Sequence, residues 1–319
     1  MAFKVNEYSY PSVSKLCNIY AKSIEPESRE SVKAVFQIAH GMAEHSARYD
    51  RFAEFLAAHG YAVFINDHLG HGKSVSSEEE LGFFGTDSGR DALVSDVHTL
   101  TGLAQKEFPG KPVVLFGHSM GSFIVRKYCS LYGDQIAAAV FCGTSGANPA
   151  AGIGAAVASF VAREKGDHYR SALLDSLAFG SYNKRFKPAR TKYDWLTRDD
   201  QIVDQYIEDP LCGFLFTAPG YHELFKILQD VSTKGWYRNI PYILPMLLVS
   251  GTDDPVGSYG KGVEEVSRGL KKSGHADVTL KLYPHCRHEI LNERNKEEIY
   301  QDIFNWAGRK IAVREPVVK

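Results

Sequence analysis

The sequence predicts an α/β fold: a mostly parallel central sheet flanked by helices, with a helical insertion. Three observations predict it. Short apolar runs alternate with longer segments of helical periodicity from Val35 to Cys142, the order that builds a parallel sheet with helices on its faces. The alternation stops over residues 145–240, where helical and aromatic-rich segments follow one another, and it resumes at Met246. Turn residues stand at most of the junctions.

Taken in order, Val35 to Ala39 is a buried strand followed by the loop HGMAEHS. Tyr49, Phe52, Phe55 and Leu56 share one face of a helix that closes at Gly60, a glycine stop. Tyr61 to Asn66 is the next strand, and Leu93, Val97, Leu100 and Ala104 form one stripe on a helix ending near Phe108. Pro112 to Phe116 is a strand, Ser122 to Leu131 a helix with few polar positions, and Ile136 to Cys142 a strand again. After the insertion come the strand Met246 to Ser250, a helix bearing Val263, Val266 and Leu270, the strand Val278 to Tyr283, and a last helix with Ile299, Ile303, Phe304 and Trp306. The organisation is therefore a core of residues 1–144 and 241–319 with a cap over 145–240.

Composition limits the chemistry. With 319 residues, 44% of them hydrophobic, the chain can bury a full core. Thirty-seven basic against 38 acidic residues leave a net charge of −1 and no field for a phosphate backbone, so nucleic acid is not expected as a partner. The N-terminus MAFKVNEYSY lacks the apolar core of a secretory signal, and no run approaches the roughly 20 apolar residues that span a bilayer. A cytoplasmic location is expected. Five cysteines without CxxC or CxxH spacing read as reduced thiols, which argues against a disulfide framework or a zinc site.

The first chemical motif is Gly117-His118-Ser119-Met120-Gly121. Alone the pattern is weak, but here it sits between an apolar strand and a helix, a turn so tight that the neighbours of the serine must be small and its hydroxyl stands above the sheet. A serine is a poor nucleophile unless a base takes its proton, so a histidine must follow, and in this topology the chain order is serine, acid, histidine. His288, in the loop YPHCRHEILNE after the last strand, is preferred to His285. The acid belongs after the strand LLVS in GTDDPV, and Asp254 is preferred to Asp253; a carboxylate there fixes the imidazole tautomer and stabilises the imidazolium. Attack on a carbonyl also creates an oxyanion, for which the backbone N–H groups of Met120 and Met42 are the expected donors. Asp67, His68 and His71 could suggest a metal, but DHLGHGKS reads better as a strand-end turn, and neither metal nor organic cofactor is expected.

HGMAEHSARY, NDHLGHGKS, GHSMGS, the helical insertion and RHEILNE together resemble the monoacylglycerol lipase and lysophospholipase branch of the α/β-hydrolase fold, the serine aminopeptidase S33-like hydrolases. The resemblance covers nearly the whole chain. It implies a serine hydrolase that cleaves carboxylic esters, one fatty acyl chain on a small polar alcohol, with Ser119, Asp254 and His288 as the triad and Met42 and Met120 as the oxyanion hole. It also implies that Glu44 and Arg48 shape the region near the alcohol, with a structural ion pair as the competing reading. In the animal monoacylglycerol lipases a second histidine lies three residues after the catalytic one; this chain has Leu291. The insertion, with Ala150 to Ala162 and Phe160, Phe179, Phe214 and Phe216, could line an acyl channel and touch a membrane or micelle transiently. A peptidase of the same fold would carry the same triad. Dehalogenases and epoxide hydrolases need a carboxylate where Ser119 stands, and a non-catalytic binding module needs no triad.

Overall fold

The computed structural model describes residues 3–312. Eight strands form one sheet in the order β1-β2-β4-β3-β5-β6-β7-β8. They are β1 (Phe3–Pro11), β2 (Asn18–Pro26), β3 (Ala34–Ala39), β4 (Tyr61–Asn66), β5 (Val113–His118), β6 (Ala138–Cys142), β7 (Met246–Gly251) and β8 (Val278–Tyr283). From β4 to β8 in the sheet order every neighbouring pair is parallel, and β3 to β7 read as mainly apolar runs because helices cover both faces.

The helices are α1 (Asp50–Ala58), α2 (Gly89–Glu107), α3 (Met120–Tyr132), α4 (Ala151–Lys165), α5 (Ala172–Phe179), α6 (Asp200–Glu208), α7 (Ala218–Asp230), α8 (Lys261–Lys272) and α9 (Lys296–Ala312). One face of the sheet packs Phe36, Phe116 and Val140 under Phe52, Leu56, Ile303 and Trp306 of α1 and α9. The other packs Leu115 and Phe141 under Leu93, Val97, Ile124, Tyr128 and Val263 of α2, α3 and α8. No helix of the described residues is long and apolar enough to cross a membrane.

The antiparallel strands β1 and β2 are not among the elements read from the sequence. Their pattern is hidden because β2 buries Ser23 and Glu25 fully: Asn6 Nδ2 of β1 donates across the pair to Glu25 Oε1 (2.9 Å), and Ser23 Oγ donates to the same oxygen within β2 (2.6 Å). The segment between β6 and β7 carries α4 to α7 and no strand. In it α4 packs on α7 where Gly154 faces the Phe225 ring; a Cβ at Gly154 would lie 3.1 Å from the ring atoms.

Candidate active site

Ser119 stands between β5 and α3 with φ 54° and ψ −120°, a conformation that costs on the order of 1–3 kcal/mol and persists only where its surroundings hold it. Its N–H donates to Cys142 O at 2.9 Å, and its carbonyl accepts from Ser122 N (2.8 Å) and Ser122 Oγ (2.6 Å). The flanking glycines are required by space. A Cβ at Gly117 would fall 2.3 Å from Gly121 O, and one at Gly121 would fall 2.1 Å from Ala39 O. Met120 opens α3, so its N–H is among the first-turn amides that have no acceptor inside the helix.

Across the sheet, the loop after β8 brings His288 to the end of β7. His288 Nδ1 and Asp254 Oδ1 are 2.9 Å apart, and both side chains are buried. Asp254 also accepts from Ser250 Oγ and Val256 N, each at 2.9 Å. Burial alone would raise its pKa, but His288 and these two donors outweigh that and hold the carboxyl below the usual aspartate value. Gly143, at φ 59°, makes room for the imidazole, since a Cβ there would meet His288 Cε1 at 3.0 Å. His285 is exposed with its N–H on Thr252 Oγ1, and Asp253 is half-buried with its N–H on Cys286 O.

Two cavities meet at this point, and Ser119, Met42 and Phe179 line both. One, of about 280 Å³, is also lined by Glu44, His118, Asn183, Trp195, His288 and Glu289. The other, of about 300 Å³, is apolar, lined by Met120, Phe123, Val157, Phe225 and Leu228 among others. Of the aromatics expected in the channel, Phe179 and Phe214 line the cavities, Phe160 is exposed, and Phe216 is core. A serine, an imidazole held by a carboxylate, and a helix N-terminal amide around one hollow form the constellation of covalent acyl transfer.

The family model for serine aminopeptidase, S33, matches residues 30–295. The chain belongs to this family and is an α/β hydrolase. It is similar to a monoacylglycerol lipase of Mycolicibacterium smegmatis, 28% identical over 86% of this chain and 88% of the relative. It is similar to the human monoglyceride lipase, also 28% identical, over 88% of this chain and 84% of that one. Among solved structures, a thermostable carboxyl esterase from Bacillus coagulans in complex with glycerol superposes with a TM-score of 0.90 at 31% identity, covering 98% of this chain and 99% of that one.

Beneath the hydrolase's cavity lies a buried network that the sequence showed only as separate letters. Arg48 Nη1 and Nη2 donate to the two oxygens of Glu289 at 2.7 Å each, and Nη1 also donates to Glu44 Oε2 at 2.6 Å. Glu44 Oε1 accepts from Gly41 N (2.5 Å) and Tyr49 OH (2.8 Å), with His118 Nδ1 3.4 Å away. Glu44 thus faces the cavity of Ser119, whereas Arg48 lies outside both cavities, with its guanidinium committed to the two carboxylates. Leu291 is buried in the core beside α9, with its carbonyl accepting from Tyr300 OH at 2.9 Å. Trp195, from the segment between β6 and β7, lies with its ring 5.1 Å from that of His288 and tilted 40° to it, and its carbonyl accepts the His288 N–H at 3.4 Å. Sequence patterning does not point to Trp195 or Glu289: one is an aromatic among many in the insertion, and the other is 241 residues from its partner Arg48.

The donors best suited to a metal among the described residues are His45, Asp209 and Cys212, whose ligand atoms lie within 4.8 Å of one another. His45 Nε2 already contacts Asp209 Oδ2 at 2.8 Å, which a shared proton explains. The pair helps tie the loop after β3 to α6 and the segment after it, from which Tyr206 OH and Gly213 N both donate to Ala43 O. Asp67 is a turn anchor, accepting from Ser46 N and Lys73 N at 2.8 Å each.

Arg48→Met is expected to destabilise the hydrolase by about 3–5 kcal/mol, because it leaves Glu44 and Glu289 buried without their cation. Burial by itself opposes both charges, yet His118 and Arg48 hold Glu44 well below the ordinary carboxylate value, and Arg48 holds Glu289 below it. Folded values below unfolded ones mean that this stabilisation is present above the unfolded glutamate pKa of about 4.3 and is lost as pH falls through the folded values. Urea midpoints from pH 7 to 3 should therefore fall on acidification in the wild type and fall less in Arg48→Met; an unchanged midpoint at pH 7 in the variant would refute the account.

Proposed function

We propose that this hydrolase cleaves carboxylic esters that join one fatty acyl chain to a small polar alcohol, as its monoacylglycerol lipase relatives are named for doing. The observation that carries the reading is the meeting of an apolar and a polar cavity at Ser119, beside His288 held at 2.9 Å by Asp254. The acyl chain takes the apolar cavity and the alcohol the polar one.

In this mechanism His288 Nε2 takes the Ser119 hydroxyl proton as Oγ bonds to the ester carbon. Asp254 keeps the other ring nitrogen protonated and stabilises the imidazolium. The tetrahedral oxyanion is held by the Met42 and Met120 amides. His288 returns its proton to the departing alcohol, leaving an acyl-enzyme. Water then repeats the sequence and releases the fatty acid. Residues 145–240 act as the cap, with Trp195 bracing the base from above. The peptidase reading has less support, because the cavity's two buried carboxylates, Glu44 and Glu289, are already paired with Arg48 and leave less negative charge for a substrate amine.

The rim of the apolar cavity exposes Ile153 (70%) and Leu177 (60%), with Leu173 (61%) close by in sequence on α5, an apolar edge suited to brief contact with a micelle or lipid surface. Five cysteines free of disulfides fit a reducing compartment, and the cytoplasm is the proposed location.

p-Nitrophenyl esters from acetyl to palmitoyl test the substrate class. We expect the optimum at medium or long chains, with rates on the long esters stepping up once micelles form. Gly154→Leu, which pushes on Phe225 in the apolar cavity, should move the optimum to shorter chains without changing acetyl ester turnover by more than about twofold. An optimum at acetyl in the wild type, or faster cleavage of an amino-acid anilide than of any ester, would overturn the reading.

A further inference from the structure

The two amides proposed for the oxyanion differ in how they are held. Met120 takes its direction from α3. Met42 lies in a loop, and something must aim it. The Gly41 carbonyl is 2.8 Å from His40 Nδ1, while the His68 backbone N–H donates to His40 Nε2 at 2.9 Å. The second contact puts the lone pair on Nε2, so the ring proton sits on Nδ1 and is donated to Gly41 O. In a trans peptide the carbonyl of one residue and the N–H of the next point in opposite directions. A Gly41 carbonyl locked onto His40 therefore turns the Met42 N–H away from it. His40 is buried and lines neither cavity, whereas Met42 and Ser119 line both, so the amide is turned toward the cavity face.

The lock is itself locked. His68 Nε2 donates to the His40 carbonyl at 3.1 Å, the two rings lie 4.1 Å apart, and Asn66 Nδ2 donates to His68 Nδ1 at 3.3 Å. From the other side α3 presses on the same carbonyl, where a Cβ at Gly121 would fall 2.5 Å from His40 O. On the far side of the peptide, the Gly41 N–H is taken by Glu44 Oε1. We propose that His40, as its Nδ1–H tautomer, is the positioning residue that aims the Met42 amide at the oxyanion. The inference rests on the ester-hydrolase reading above. Burial drives the His40 pKa well down and that of His68 to about 3, so both rings stay neutral over the range in which the enzyme would be assayed.

Two variants separate positioning from mere packing. His40→Asn places an amide donor where Nδ1 stood and keeps the bond to Gly41 O. His40→Gln places its amide where Nε2 stood and loses that bond. With p-nitrophenyl butyrate we expect His40→Asn to keep kcat within about tenfold of wild type, and His40→Gln to lose about 100-fold in kcat with KM within about twofold. Affinity for a trifluoromethyl ketone, whose Ser119 adduct carries the alkoxide, should fall in His40→Gln in proportion to kcat/KM. Equal kcat losses in the two variants, or undiminished ketone affinity in His40→Gln, would overturn the role of His40. Should neither variant fold, long-range imidazole ¹⁵N–¹H correlation on the wild type decides: the Nδ1–H tautomer at His40 is expected, and the Nε2–H tautomer overturns the proposal. Ser119→Ala assayed alongside separates the two failures. Turnover surviving there overturns the underlying reading, whereas an inactive Ser119→Ala beside a fully active His40→Gln overturns only the positioning.

Discussion

Ser119→Ala is expected to lower kcat for p-nitrophenyl butyrate by about 10⁴-fold or more and to abolish labelling by a fluorophosphonate, with the urea midpoint hardly moved. The size follows from what remains. In the proposed mechanism the Met42 and Met120 amides would still polarise a bound carbonyl without Oγ, but His288 would have no nucleophile to activate and would have to recruit water, which no covalent bond holds in line. The double variant Ser119→Ala/His288→Ala should lose little more than either single change, because in the proposed mechanism the two residues perform one proton-coupled step and removing half of it removes the step. Additive losses, each multiplying the other, would mean that Ser119 and His288 act separately and that the serine mechanism is wrong. The midpoint should stay because alanine keeps the Cβ, so the backbone strain at φ 54° is the same in both proteins.

The parts legible in the sequence are those in which one residue's neighbours along the chain are also its constraints in space. Gly117 and Gly121 flank Ser119 because backbone atoms of α3 and β3 come within 2.3 and 2.1 Å of where their Cβ atoms would lie, so local spacing records a tertiary contact. Strands β3 to β7 are buried on both faces and show as mainly apolar runs. Strand β2 is just as buried at Ser23 and Glu25, but its polar partners come from β1, and a polar residue satisfied by another strand looks no different in sequence from one facing water.

The same limit applied to the site. His288 and Asp254 could be ranked above His285 and Asp253 by position on their loops, and the structure pairs the preferred two at 2.9 Å while leaving His285 exposed. The Glu44–Arg48–Glu289 network was half visible, as an i, i+4 pair, but its strongest arm is the bidentate contact with Glu289 from the far end of the chain. The insertion was the least legible part. Phe179 and Phe214 reach the cavities while Phe160 faces out and Phe216 is core, and short irregular helices have no period strong enough to tell those fates apart.

Asp254→Asn is expected to lower kcat by about 10²- to 10⁴-fold, and Asp253→Asn to leave it within about threefold. The range for Asp254 reflects two ways the amide can sit. With its carbonyl at the Oδ1 position it still accepts from His288 Nδ1 and from Val256 N, while its NH₂ turns toward Ser250 Oγ, which can rotate to accept. The tautomer then survives, but the charge that stabilises the imidazolium is gone. With its NH₂ at the Oδ1 position, donor would meet donor at both His288 and Val256. The ring must then move its proton to Nε2, where it can no longer take one from Ser119, and the larger loss follows. Ser250→Ala separates the cases: added to Asp254→Asn it removes the acceptor that favours the first orientation, so the double variant should fall toward the lower limit of activity. The wild-type carboxylate needs no such choice, since both oxygens accept and its pKa is held down by the partners that orient it. If Asp253→Asn proved the crippling change and Asp254→Asn the mild one, the acid would be misassigned, and the 2.9 Å contact would be only a buried ion pair near the site.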